Sequence, residues 1–122
     1  MAYSDRYLLF IEYFNNTKFM SAQTTLDEVW LKEEGKDKNF YGGLIQVAVS
    51  LYHLTNENPK GAQKIYEKAK DMLKVYGENY HDLRLADLLS KLDHIFYSEL
   101  DQAKTSLDYL KILPRIEFTG NA

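Results

Sequence analysis

The stretch FYGGLIQVAVSLYHL, residues 40–54, decides the fold. Drawn as a helix, it carries apolar residues on nearly every side, which is typical of a helix buried at the centre of a domain. Gly42 and Gly43 lie near its start, where the absence of side chains lets a neighbouring helix approach closely. The stretch therefore predicts a central helix on which the other segments of the chain pack.

Segments on both sides of this stretch show helical periodicity, and the alternation typical of strands is absent. The predicted helices span residues 4–14, 18–33, 40–54, 59–76 and 81–103. A short apolar helical turn follows, after which Pro114 forces extended chain and Ile116 and Phe118 can dock on the body. The sequence therefore predicts an all-α fold, in which residues 1–122 form a single-domain bundle of about five helices with a short C-terminal extended segment.

The composition narrows the classes of function. The net charge is −3 and no basic stripe stands out, so we expect no nucleic-acid binding. The absence of cysteine excludes disulfides, thiolate metal sites and a cysteine nucleophile. The N-terminal residues lack the pattern of a signal peptide, and no apolar run approaches the ~18 residues that span a bilayer. We therefore expect a cytoplasmic protein that does not bind a membrane.

Three polar residues lie on the otherwise apolar central helix. Gln46, Ser50 and His53 are spaced i, i+4 and i+7, so they share one face of that helix. A buried polar group without a hydrogen-bond partner costs about 1–3 kcal/mol of stability. Each of these side chains therefore needs a partner on a neighbouring helix.

The second predicted helix offers such partners in SAQTTLDEVW, residues 21–30. Gln23, Thr24 and Asp27 lie on one side of this helix at i, i+1 and i+4. We expect the polar faces of the two helices to meet in a small internal pocket, with Trp30 as its apolar wall. The alternative is that these side chains cap loops or form a satisfied network whose role is only structural.

The candidate pocket holds few groups for chemistry. Asp27 beside His53 would make an acid–base pair, but the same two residues would equally make a structural ion pair. These two residues are also its only suitable metal ligands, fewer than the three or four that a metal site needs. We therefore assign no catalytic residue, no metal and no cofactor from the sequence.

Two functions from different classes remain open. The preferred one is a non-catalytic helical scaffold or protein-interaction domain, whose partner is another protein or a second copy of the chain in a homodimer. The alternative is a small-ligand-binding protein or an enzyme that uses the polar pocket around Asp27, Gln46 and His53. A ligand-dependent change that requires His53 would favour the alternative.

Two parts of the sequence resemble a known family. They are FNNTKFMSAQTTLDEVW, residues 14–30, and FYGGLIQVAVSLYHLTNENPKGAQKIYEKAKDML, residues 40–73. Together they resemble the domain-of-unknown-function family number 309 over roughly residues 8–75. The resemblance implies a small all-helical protein, and because the family has no established activity it implies no reaction.

The resemblance is uneven across the family's pattern. That pattern has a His-Glu or His-Asp pair, a Glu three residues on and a Trp three further, and here these positions read Gln23-Thr24, Asp27 and Trp30. The second half of the pattern is intact at Gly43, Gln46, His53, Asn58, Gly61 and Ala62. A use of the pair in metal binding or proton transfer would therefore be lost or altered in this chain.

Overall fold

A computed structural model describes residues 3–100, 102–103 and 105–120. Within these residues the chain is mainly helical, with one two-stranded hairpin. The helices are α1 (Asp5–Asn15), α2 (Phe19–Lys32), α3 (Lys38–Thr55), α4 (Pro59–Leu73), α5 (Leu85–His94) and α6 (Ser106–Lys111). The all-α bundle predicted from the sequence is confirmed, and α6 is the apolar helical turn expected after the fifth helix.

Helix α3 is the central helix that the apolar stretch 40–54 predicts. Helices α2 and α4 both pack on it, and side chains along its whole length, such as Phe40 and Leu54, are fully buried. The close approach predicted at its glycines is also confirmed. A Cβ atom added to Gly43 would lie 2.6 Å from Cγ of Leu73 in α4, closer than any side chain tolerates.

The turns that join α1 to α2 and α3 to α4 are built in the same way. In each, an asparagine side chain donates a hydrogen bond to a carbonyl oxygen of the preceding helix, Asn16 at 2.9 Å and Asn56 at 2.8 Å. The next residue adopts a left-handed conformation, with φ of 61° at Thr17 and 60° at Glu57. The two helical hairpins therefore reverse direction in about three residues.

The prediction that the fifth helix begins at residue 81 is wrong. Residues Asn79–Tyr80 (β1) and Leu83–Arg84 (β2) pair as an antiparallel hairpin, and α5 begins only at Leu85. Strands of two residues are too short to show an alternating pattern, which is why the sequence did not reveal them. The hairpin turn holds His81 and Asp82 at φ of 46° and 58°, respectively.

The end of this helix also differs from the predicted residue 103. After α5 the chain continues as a π-helical segment, Ile95–Glu99, and Ala103 is buried but not helical. The docking predicted for the C-terminal segment is confirmed. The Ile116 side chain is buried, its backbone N–H donates to Oδ1 of Asn15 in α1 at 2.7 Å, and Phe118 forms a β-bridge with Leu83.

Candidate functional site

A groove of about 420 Å³ runs between α2 and α4, with α3 as its floor. Four of the seven residues that the sequence assigns to a pocket line it: Gln23, Asp27, Trp30 and Gln46. Gln23, Asp27 and Trp30 are spaced i, i+4 and i+7, so one stripe of α2 supplies all three. The groove opens on the protein surface, since none of these four side chains is fully buried.

The floor of the groove depends on Gly42. A Cβ atom at this position would lie 2.9 Å from Cε of Met72 and 3.1 Å from Nε1 of Trp30. The missing side chain therefore lets the indole from α2 and the thioether from α4 reach the backbone of α3 together. Ile45 lines the groove one turn further along α3, beside Gln46.

Lys38 holds the indole of Trp30 in place. The ammonium nitrogen of Lys38 lies 4.2 Å from the ring centroid of Trp30 and donates a hydrogen bond of 2.8 Å to the carbonyl oxygen of the same residue. These two contacts combine a cation–π interaction with a cap at the end of α2. The wall of the groove is therefore positioned before any ligand arrives.

The polar side chains of the groove have no hydrogen-bond or ion-pair partner among the described residues. Within the part of the chain that the structure describes, the side chains of Gln23, Asp27 and Gln46 form no hydrogen bond or ion pair, and neither does Nε1 of Trp30. Burial raises the pKa of the Asp27 carboxyl above its ordinary value. A partly buried carboxylate without a partner is unfavourable for the fold, so its position favours a ligand-binding role.

The other three predicted residues lie elsewhere, and the prediction of an internal pocket that contains them is wrong. Thr24 points about 100° away from Gln23 on α2, is exposed, and donates to the carbonyl oxygen of Met20 at 3.0 Å. Ser50 is fully buried and donates to the carbonyl oxygen of Val47 in its own helix at 2.7 Å, so it needs no partner from α2.

His53 lies two turns beyond Gln46, about 10 Å further along α3. Its ring is partly buried and contacts the ring of Tyr52, with centroids 5.9 Å apart. It does not line the groove that contains Asp27. The acid–base pair of Asp27 and His53 is therefore not formed.

Sequence reasoning missed the contribution of α4 to the groove. Lys68 and Met72 line it from α4, and neither residue was among those predicted for the pocket. The two residues are spaced i, i+4 at the border between the polar and apolar faces of this helix. This border position is the feature of the sequence that could have indicated a site, but only the packing of α4 on α3 shows that the two side chains face the groove.

A second cluster, formed around His81, was also not predicted from the sequence. Nε2 of His81 lies 2.8 Å from Oδ2 of Asp37, and the Tyr80 hydroxyl donates to the other carboxylate oxygen. Burial acts to raise the pKa of Asp37, but the hydrogen bonds from Tyr80 and His81 and the nearby His81 charge outweigh it and lower this pKa. The hydrogen bond to Asp37 raises the pKa of Tyr80 to about 12.

The ring of His81 in this cluster is surrounded by other rings. Five aromatic rings have centroids 4.5–6.3 Å from the imidazole, those of Tyr3, Tyr7, Phe40, Tyr41 and Tyr80. The contacts join α1, α3 and the β hairpin, and the Tyr7 hydroxyl donates to the backbone carbonyl oxygen of His81 at 2.9 Å. The cluster therefore fastens the hairpin to the helices.

Among the residues that the structure describes, no group of three or more His, Asp or Glu side chains is arranged to hold a metal ion. Within the same residues, no helix combines the length and the apolar character that crossing a membrane requires.

Comparison with known proteins gives a relative and a family. Over 113 residues the chain is 26% identical to the uncharacterized protein YpuF of Bacillus subtilis (strain 168). The aligned region covers 91% of this chain and 64% of that protein. The chain thus spans less than two thirds of its relative's length. No solved structure matches the chain.

Residues 7–65 match the model of a family described as a domain of unknown function, DUF309. This region runs from α1 into α4 and includes all the groove residues that α2 and α3 contribute. It is just under half of the chain and stops short of Lys68 and Met72. The resemblance predicted from the sequence is confirmed: over residues 7–65 the chain is similar to this family.

Proposed function

We propose that the chain is a non-catalytic binding domain whose groove between α2, α3 and α4 accepts a small ligand. The observation that carries the proposal is a set of polar side chains that lack a partner within the described residues and lie beside an apolar wall: Gln23, Asp27 and Gln46. A volume of about 420 Å³ lies in the range of small-molecule sites, roughly 300–1,000 Å³. Convergent polar groups on apolar walls are the usual composition of such sites.

The separation of His53 from Asp27 supports the non-catalytic part of the proposal. General acid–base catalysis commonly needs two titratable groups within reach of the same substrate atoms. Among the described residues, the titratable side chains that line this groove are Asp27 and Lys68. Both suit recognition by charge, and neither is oriented by a hydrogen bond from another residue within the described chain.

The fluorescence of Trp30 tests this proposal directly, because it is the only tryptophan of the chain and it lines the groove. A library of metabolites is screened for compounds that change the emission and raise the melting temperature. We expect Asp27→Asn or Gln46→Ala to remove the response. Thr24→Ala and His53→Ala, on the same helices but outside the groove, serve as controls and should keep it.

Two results would contradict the proposal. One is a library in which no compound changes both the emission and the melting temperature. The other is a response that His53→Ala removes while Asp27→Asn leaves it intact, since the site would then lie elsewhere.

A second candidate function is protein interaction through a homodimer. Leu107 and Leu110 lie one turn apart on α6 and are 62% and 47% exposed. Adjacent exposed leucines on one helix face favour a contact with another protein surface. This face is separate from the groove, so the two functions are compatible.

Light scattering at tens of micromolar protein tests the homodimer. We expect the mass of two chains for the native protein and of one chain for Leu107→Lys and Leu110→Lys. Leu31→Lys, at an exposed leucine of α2, is the matched control and should remain dimeric. A native protein that is monomeric at this concentration would exclude the homodimer.

A further inference from the structure

The groove has charges of opposite sign on its two walls. Asp27 stands on α2 and Lys68 on α4, and both line the groove over the floor that α3 provides. The two side chains form no ion pair with each other, so their nitrogen and oxygen atoms lie more than 4.0 Å apart. Each charge is therefore free to meet an opposite charge on a ligand that lies between the walls.

An apolar surface completes the same groove. Trp30 and Met72 meet over Gly42, and Ile45 adds a branched side chain on the floor. An aliphatic group placed there would be removed from water at about 25 cal/mol for each Å² buried. A ligand that uses the whole groove thus has an apolar part as well as two charged ends.

The arrangement of charges disfavours other classes of small ligand. A nucleotide or other polyanion would place negative charge beside Asp27, and Lys68 is the only cation that lines the groove among the described residues. A polyamine or a divalent cation would meet the repulsion of Lys68. A neutral apolar molecule would leave the carboxylate of Asp27 partly buried and without a partner.

We propose that the ligand is a zwitterion of amino-acid size, an α-amino acid with an apolar side chain. Its ammonium group binds the carboxylate of Asp27, its carboxylate binds the ammonium of Lys68, and its side chain packs against Trp30 and Met72. The amides of Gln23 and Gln46 supply further hydrogen bonds to the polar atoms. This inference rests on the proposed function, since it names the class of ligand for the same groove.

Trp30 fluorescence with L-leucine and three analogues tests the inference. N-acetyl-L-leucine lacks the ammonium group, L-leucinamide lacks the carboxylate, and glycine lacks the apolar side chain. We expect leucine to change the emission in a saturable way. Each analogue should bind at least about tenfold more weakly, because each leaves one part of the groove without a partner.

Variants of the two walls assign each charge to its partner. Asp27→Asn should weaken the binding of leucine about tenfold and leave the binding of N-acetyl-leucine unchanged, because that analogue has no ammonium group for Asp27 to bind. Lys68→Met should weaken the binding of leucine by a similar factor and leave the binding of leucinamide unchanged. Lys64→Met, one turn earlier on α4, and Glu34→Gln, in the loop after α2, are the matched controls and should bind leucine as the native protein does.

The outcomes separate this inference from the proposed function. If leucinamide and N-acetyl-leucine bind as tightly as leucine, or if both wall variants bind leucine normally, the zwitterion is excluded. If no amino acid changes the emission but another compound does so in a way that requires Asp27, the groove is a binding site and only its ligand class is wrong. If no compound of any class binds, both proposals fail.

Discussion

At the scale of single residues, Asp27 in the groove does not contribute to the stability of the fold. Asp27 is partly buried among Trp30, Ile45 and Met72, has no partner within the described chain, and its pKa is raised by burial. Ser50 shows the opposite case, because it is fully buried but hydrogen-bonded within its own helix. Polar residues that lower stability are common at functional sites, where binding requires them.

The first prediction concerns Asp27→Asn, which should raise the free energy of unfolding at pH 7 by up to about 1 kcal/mol. An acid whose pKa is higher in the folded state than in the unfolded state opposes folding when it is charged. This effect is present at pH 7 and disappears below the ordinary pKa of 3.8, where the carboxyl is protonated in both states. Urea unfolding at pH 7 and pH 3 measures it, and a variant less stable than the native protein at pH 7 would contradict the prediction.

At the scale of elements, two glycines determine how close α4 comes to α3. Gly43 faces Leu73 with no space for a methyl group, and Gly42 faces Met72 and the indole of Trp30. The same contact builds the core at Gly43 and the floor of the groove at Gly42. The shape of the groove is therefore fixed by helix packing and not by a flexible loop.

Gly43→Ala tests this contact, and we expect a loss of about 1–3 kcal/mol of stability. Alanine favours a helix over glycine by about 1 kcal/mol, so an exposed site would show the opposite sign. The added methyl group would lie 2.6–2.7 Å from the side chain of Leu73, which is fully buried and cannot move away. Urea unfolding of Gly43→Ala, Leu73→Ala and the double variant measures the coupling.

In that series the double variant should be more stable than the sum of the single losses implies, because truncated Leu73 leaves room for the methyl group. Additive losses would mean that the close contact is not the cause of the Gly43→Ala effect.

The turn between α1 and α2 gives a third prediction. Thr17 adopts a φ of 61° although it is β-branched, and its side chain is exposed and forms no hydrogen bond within the described residues. Left-handed backbone costs a non-glycine residue about 1–2 kcal/mol, so Thr17→Gly should stabilise the protein by roughly 0.5–1 kcal/mol. Thermal unfolding is the measurement. Thr24→Gly, in the middle of α2, is the control and should lower the melting temperature.

At the scale of the whole molecule, one residue joins segments that lie far apart in the chain. Asp37, at the start of α3, accepts hydrogen bonds from Tyr80 and His81 in the β hairpin. The hairpin is also tied to α1 by the Tyr7 hydroxyl and to the C-terminal segment, where the backbone N–H of Thr119 donates to the carbonyl oxygen of Asp82 at 2.7 Å. These contacts hold the left-handed turn at His81 and Asp82 in place.

Asp37→Asn should therefore destabilise the protein at pH 7, by about 1–3 kcal/mol. The pKa of Asp37 is lowered in the folded state, so its charge contributes stability that is present above the ordinary value of 3.8 and is lost as the pH falls through the lower folded value. The difference between the native protein and the variant should shrink below about pH 4. Thermal unfolding from pH 7 to pH 2 measures it, and a difference that does not change with pH would contradict the prediction.

The sequence by itself determined the helical fold and part of the groove. Helical periodicity located α1 to α4, and the apolar surface of residues 40–54 identified α3 as the central helix. The i, i+4 spacing was sufficient to place Gln23 and Asp27 on one side of α2, with Trp30 as an apolar wall. These features are local, because they depend on side chains within two or three turns of each other.

Only the tertiary structure decided which parts of different helices meet. The packing of α4 on α3 brings Lys68 into the groove, whereas the same packing leaves His53 two turns away and outside it. The short β hairpin is held against the helices by contacts with distant residues, among them Asp37, which lies more than 40 residues away and accepts hydrogen bonds from Tyr80 and His81. Contacts of this kind depend on the distance and angle between helices, which the periodicity of any single segment does not encode.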